Sequence, residues 1–324
     1  MMFDLRIANA SQRLQTQRMC RSVPVSVADN TEIPKIVDPY DWPLKEENQG
    51  MMGSCGGQGQ VHMGEVCHYH ATGEEIEFCP LFAYFEANRQ SAGRYEMDDH
   101  GSTIDSNLKV AHEIGFVLRN AVVAYPDTSG WQFDRTGRPT PQTKAAFQRC
   151  VREYQRAIGP EHFESAGPYR LPFMADMLRG QVDPFDLVAR WIGSKCGAIE
   201  LGSSWAPPTF GQGEFNGRRV RTMESCPDSG GGHAWAVDGY AYRVDPKTPS
   251  ADDQLVGMNS HGDGRMCFTR REFEQICRQR AQYGVFAGSR MERPRPRRWM
   301  AANKPLLAPH LWAATPTARI QVVT

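Results

Sequence analysis

The chain has 324 residues, 37 Lys+Arg against 37 Asp+Glu, and 40% hydrophobic residues. That length makes one large domain or two modest ones, and the apolar content is too high for a wholly disordered chain. The balanced charge argues against a surface built throughout for nucleic acid or anionic lipid, and no apolar run approaches the ~18–20 residues that span a bilayer.

Residues 1–32 read as a polar N-terminal extension. Met1–Gln15 has no apolar stretch and no small-residue cleavage site, so no signal peptide is expected. The nine cysteines are odd in number and show no compact disulfide spacing. Reduced thiols in a cytoplasmic setting are the expectation. From Ile33 to Pro43 the chain is extended, because Pro34, Pro39 and Pro43 forbid a regular helix. A helix becomes possible from Cys55 to about His70, although Gly56, Gly57 and Gly59 in its first turn each cost roughly 1 kcal/mol relative to Ala. Phe78, Leu81, Phe82 and Phe85 stand at i, i+3, i+4 and i+7 and predict a second helix over 78–89, with Pro80 in its first turn. A third is predicted from Thr103 to Ile114, stopped by Gly115.

The stretch from about 126 to 190 is less regular and reads as an insertion between a helical lobe (about 45–125) and a β-rich lobe (about 193–287). Within it, 139–158 and 187–192 look helical. Beyond Gly193 come short strand-like runs, 196–201, 234–243 and 255–258, separated by Gly, Pro, Ser and Asp. Helices first and strands later predict an α+β protein with two packed halves. From residue 288 a basic, Pro-rich tail carries Arg290, Arg293, Arg295, Arg297, Arg298 and Lys304 against Glu292. It has too little to bury to fold alone, so it is expected to lie on its own domain or on a protein partner. With Trp299 as its one stacking aromatic, it is a poor nucleic-acid surface.

The chemistry is concentrated in two stretches. In Asn48-Gln49-Gly50-Met51-Met52-Gly53-Ser54-Cys55-Gly56, a cysteine stands where an extended loop enters a helix. The free N–H groups and the helix dipole there stabilise a thiolate, and an amide six residues upstream can fold back to meet a developing oxyanion. A thiolate nucleophile needs a proton shuttle and something to hold the shuttle. Gly230-Gly231-Gly232-His233-Ala234 puts a histidine at the mouth of a strand behind a slack loop, and Met258-Asn259-Ser260-His261-Gly262 puts an asparagine at the end of the next. Adjacent antiparallel strands would bring His233 and Asn259 together.

These residues carry a resemblance. The chain resembles the papain-like cysteine peptidases, in a divergent form like bacterial and phage members. Ile33-Pro34, Val37-Asp38 and Trp42 leading into Asn48-Gln49-Gly50 resemble the family's mature start. Cys79-Pro80-Leu81-Phe82 and Gly101-Ser102-Thr103-Ile104 resemble a helix and a substrate-cleft loop of bacterial members. The likeness covers about 33–275. It implies a two-lobed α+β fold, with a helical N-terminal half carrying the nucleophile helix and a β-rich C-terminal half carrying His and Asn. It further implies Cys55 as nucleophile, His233 as general base, Asn259 as orienting residue and Gln49 at the oxyanion hole. Gly101, Ser102 and His261 would lie at the substrate cleft, with the loop at 203–210. A polypeptide is the implied substrate, and no cofactor or metal is implied.

The departures are specific. Gly56 stands where the family carries Trp after the nucleophile, Met52 replaces the first signature Cys, and His261 replaces the Trp that shields the His–Asn pair. The nucleophile-to-His distance exceeds the usual ~130–150 residues, as an insertion within 126–190 would explain. Residues 1–32 are too short for the family's inhibitory propeptide. These departures keep a second expectation open: a catalytically weak or inactive papain-fold protein serving as a structural component of a larger assembly such as a phage virion. Cys67, His68 and His70, with His62 and Cys79 nearby, raise a zinc reading. His62 and Cys67, five apart, share no helix face well, and structural roles are the expectation.

Overall fold

Helix α1 (Cys55–Thr72) is buried on every side along most of its length. In the computed structural model the described residues are 32–172, 174–178, 183–205, 210–223, 231–262, 264–278, 284–288 and 291. Residues 1–31 and all of the basic tail except Gly288 and Met291 lie outside them. Because α1 is enclosed, its neighbours must come close. An added Cβ at Gly57 would stand 2.8 Å from the Pro80 carbonyl oxygen and from Tyr84 Cβ, so only glycine admits helix α2 (Pro80–Ala92) at this distance. The glycines of the first turns are thus points of close approach rather than a loosening of the helix. Gly73, left-handed at φ 77°, ends α1 by donating to the Tyr69 carbonyl (2.8 Å).

Pro80 occupies the first turn of α2, as its missing N–H allows. Phe78 and Cys79, expected inside that helix, instead run extended: Phe78 bridges to Leu118 and the Cys79 N–H donates to Val117 O (2.9 Å). The residue before a proline is pushed out of the helical region. Helix α3 (Ile104–Lys109) starts at Thr103, whose hydroxyl and the Ser106 side chain cap each other's backbone, and continues as a wider turn over Val110–Ile114. Helix α4 (Pro141–Ala157) turns Phe147, Cys150, Val151 and Tyr154 inward, with Tyr154 4.9 Å from the Phe85 ring of α2. A short α5 (Pro160–Ala166) follows.

The strands form one sheet in the order β2 (Met174–Asp176), β9 (Gly284–Gly288), β3 (Ile199–Trp205), β6 (Gly231–Ala241), β7 (Gln254–Met258), β8 (Arg265–Thr269), β5 (Arg218–Met223), β4 (Phe210–Phe215). A two-residue β1 (Ile36–Val37) also pairs with β6. The ladders are antiparallel except β5–β8, which is parallel. Alternation sorts the side chains. On β3, Ile199 and Leu201 enter a core with helix α6 (Pro184–Gly193) and helix α7 (Arg270–Arg278), whereas Ala198, just before the strand, joins Ala234 of β6 in a core with α1. The architecture is α+β, a helical N-terminal half followed by a β-rich C-terminal half.

Candidate active site

The residues before α1 form a tight loop. Gly50 turns left-handed at φ 55° while its N–H donates to Asn48 Oδ1 (2.9 Å), and Thr128 packs where a Cβ would be. Side chains distant in sequence then fix the loop. Met51 N–H donates to Thr128 Oγ1 (2.8 Å) and Gly53 N–H to Asp99 Oδ2 (2.8 Å). The Tyr125 hydroxyl donates to Gln49 O (3.0 Å) and shares a 2.5 Å hydrogen bond with Ser54 Oγ. Asp99 itself accepts from the Tyr84 hydroxyl of α2 (2.5 Å). Cys55 therefore opens α1 from a fixed backbone. Ser54 at the N-cap gives its hydroxyl to Tyr125 rather than to the helix.

The other half rises from the sheet. β6 and β7 run antiparallel with Ala236 opposite Met258, which brings together the residues just before and just after. His233 Nε2 donates to Asn259 Oδ1 at 3.0 Å, with both side chains buried. The imidazole is enclosed by rings: Trp235 meets it edge-on at 5.1 Å, and His261 stacks on it at 4.7 Å with 13° between planes. Trp235 is fixed in turn by its indole N–H on Ser203 Oγ (2.8 Å). Burial, and then the neighbouring His261, push the His233 pKa well below the usual imidazole range, against the opposing bond to Asn259.

Ser260 connects the two halves. Its carbonyl accepts from Gln49 N–H (2.7 Å) and its hydroxyl donates to Gln49 Oε1 (2.5 Å). That bond fixes which end of the amide is which, and Gln49 Nε2 donates to Met52 O (2.8 Å). Asn48 and His261 pair as an antiparallel bridge. α1 lies against β6 beside His233: a Cβ at Gly59, one turn past Cys55, would stand 3.5 Å from the Trp235 carbonyl carbon. Cys55 and Ala234 share one core.

Gly101 and Ser102 are buried behind the first turn of α1. A Cβ at Gly56 would press on Ser102 Oγ at 2.6 Å and on the Asn107 amide, so polar side chains fill the space beside this glycine. Asn107 Nδ2 donates to Glu200 Oε1 of β3 (3.1 Å), and burial raises the Glu200 pKa to about 8. Neither Asn107 nor Glu200 is marked by a motif. Asp99, Tyr125 and Thr128 were also missed by sequence reasoning, since nothing in their neighbourhoods ties them to Gln49–Ser54.

The residues behind the zinc reading are placed elsewhere. His62 Nε2 pairs with Asp238 Oδ2 of β6 (2.8 Å), which also takes the Arg265 guanidinium, and Cys67 Sγ donates to Gly288 O (3.4 Å). Among the described residues no group of His, Cys, Asp and Glu is arranged to hold a metal ion. Seven cysteines, Cys55, Cys67, Cys79, Cys150, Cys196, Cys267 and Cys277, are described as free thiols. No described helix is long and apolar enough to cross a membrane.

Several solved cysteine proteases have this fold. The chain superimposes on xylellain, a cysteine protease from Xylella fastidiosa, with a TM-score of 0.58 and 19% identity over 89% of this chain and 95% of that one. Digestive procathepsin L 3 of Tenebrio molitor larval midgut gives 0.56 and 14% over 88% and 82%. The procathepsin B S9 of Trypanosoma congolense gives 0.52 and 13% over 88% and 86%. No protein-family model and no curated sequence matches the chain. The chain has the papain-like fold.

Proposed function

We propose that this protein is a cysteine peptidase that hydrolyses peptide bonds through Cys55, His233, Asn259 and Gln49. The observation that carries the reading is the 3.0 Å hydrogen bond from His233 to Asn259 on strands packed against the helix that begins at Cys55. With Asn259 on Nε2, Nδ1 is the ring nitrogen proposed to exchange a proton with the thiol. The Cys55 thiolate attacks the scissile carbonyl, and the carbonyl π electrons become an oxyanion that the Gln49 amide and the Cys55 N–H stabilise. His233 protonates the leaving amine as the C–N bond breaks. The acyl-enzyme is then hydrolysed by water that gives its proton to His233, releasing the acid and restoring the thiol–imidazole pair. His261, half-buried, is proposed to border the cleft that receives the peptide, whereas Gly101 and Ser102, expected there too, are buried behind the first turn of α1.

A second reading is an inactive papain-fold component of an assembly. Its support is the burial of His233, which disfavours the imidazolium that the chemistry needs. Alkylation with iodoacetamide at about pH 5.5 separates the two, because an ordinary thiol is almost wholly protonated there. Rapid modification confined to Cys55, and lost in His233→Ala, is the outcome expected of the peptidase. Labelling of Cys55 no faster than the other cysteines overturns it in favour of the inactive component.

A further inference from the structure

His261 stands beside the base, yet the mechanism above gives it no chemical step. Its ring lies nearly parallel to that of His233, 4.7 Å centre to centre. It is half-buried, whereas His233 is enclosed, so His261 is the ring that exchanges protons with solvent more readily. Its backbone bridges to Asn48, next to Gln49, and its chain neighbours Asn259 and Ser260 hold the base and the oxyanion amide. An apolar ring here could only cover the His–Asn bond. An imidazole can also become charged.

We propose that His261 is a positioning residue that gates the base: neutral, it steadies the His233 imidazolium by stacking, and on taking up a proton it sets two like charges face to face and switches the base off. The inference rests on the peptidase reading. The active state requires a proton on His233 and none on Cys55. A second positive ring at stacking distance disfavours that proton. The pair falls back to thiol and neutral imidazole as the pH drops. The lowering of the His233 pKa by His261 has this same sign.

Charged groups lie on the segments that flank the two rings. On the segment entering the site, Glu47 is paired with Arg119, and the Glu46 carboxylate lies against Gly264, where an added Cβ would be 3.2 Å from it. On β8, Arg265 is committed to Asp238, which also holds His62 of α1. Asp263 lies outside the described residues.

The test uses the full chain as wild type, His261→Phe and His261→Gln. The rate of Cys55 alkylation by iodoacetamide is followed against pH, and the His233 ring is titrated by NMR after Cys55 has been alkylated. Expected in both variants is an acid limb that reaches lower pH, reacting at its foot at least about threefold faster relative to the plateau, with the His233 midpoint moved up. Plateau height is free to change. Coincident limbs and an unmoved midpoint in both variants overturn the gate while leaving an activated Cys55, and so the peptidase, intact. A wild-type Cys55 that labels no faster than its neighbours overturns the peptidase and the gate together. A midpoint that moves without any displacement of the limb overturns the gate alone.

Discussion

Between Gln49 and Ser54 the chain is tied down from outside: Thr128, Asp99 and Tyr125 each reach a backbone group of that loop. Between Asn259 and His261 it is tied to the site itself, through His233, Gln49 and Asn48. The first arrangement places Cys55, the proposed nucleophile, at the end of a loop held by side chains distant in sequence. The second makes His233, the proposed base, and its supports one unit, so a change in any member reaches the others. Preorganisation by distant tethers and by mutual contact are both ways to hold a site, but they fail differently.

The largest effect tests whether the two sides act as one machine. Cys55→Ala and His233→Ala are each expected to lower peptide hydrolysis by roughly 10⁴-fold or more, and the double variant is expected to be no worse than either single one. Initial rates on a quenched-fluorescent peptide library measure this. Additive losses would mean that the two sides do not share a step.

Next in size is the buried carboxylate that joins β6 to α1 and β8. Asp238 holds His62 and Arg265 in a site closed to water. Burial alone would raise the Asp238 pKa, but Arg265 and His62 outweigh it and hold the carboxyl below its usual range. Its contribution is therefore present above the usual carboxylate pKa and lost as the pH falls through the lowered one. Asp238→Ala leaves the buried Arg265 guanidinium without its counter-charge and His62 Nε2 without its partner, and is expected to destabilise the fold by about 3–5 kcal/mol, measured by urea unfolding at neutral pH. A loss under 1 kcal/mol would mean that α1 is held against the sheet by its apolar and glycine contacts alone.

Glu200 shows the opposite sign. Burial raises its pKa to about 8 in the folded chain, so the folded state keeps a proton that the unfolded chain has already lost. Stability is then expected to fall by up to ~1.4 kcal/mol per pH unit between the ordinary carboxylate range and about pH 8, and to level off above it. Glu200→Gln removes the ionisation, so its advantage over wild type grows with pH across that window. Parallel unfolding curves at pH 5 and 8 for both proteins would show that Glu200 ionises freely.

Much of this was legible because local patterns and the contacts they make agree. Phe147, Cys150, Val151 and Tyr154 form the stripe that α4 buries, and His233 and Asn259 sit at facing ends of two strands whose composition marks them as neighbours. Helix α1 was legible only from its ends. It is buried all round, and its interior carries Gln58, Gln60, His62 and Glu65, so no apolar stripe exists to be read. β2 pairs with β9 from across more than a hundred residues, inside a stretch whose sequence has no strand signal. β4, reading Phe-Gly-Gln-Gly-Glu-Phe, is stabilised by its partner strand rather than by propensity. The tethers on Gln49–Ser54 are single polar side chains 46 to 77 positions away, and such a contact leaves no periodicity behind.

The smallest effect is the sharpest on the opening contrast. Tyr125→Phe keeps the ring and removes the hydroxyl that serves both Gln49 O and Ser54 Oγ. Two buried polar groups then lose a shared partner, for an expected loss of roughly 1–3 kcal/mol. If the nucleophile side is held from outside, the variant alkylates Cys55 several-fold more slowly while the NMR midpoint of His233 stays where it was, because the bond to Asn259 and the His261 stack do not involve Tyr125. A His233 midpoint that moves with Tyr125→Phe would mean that Ser260, through its two bonds to Gln49, transmits strain from the loop to the base. The two sides would then be one mechanical unit, and Asn259→Ala should in turn slow Cys55 alkylation.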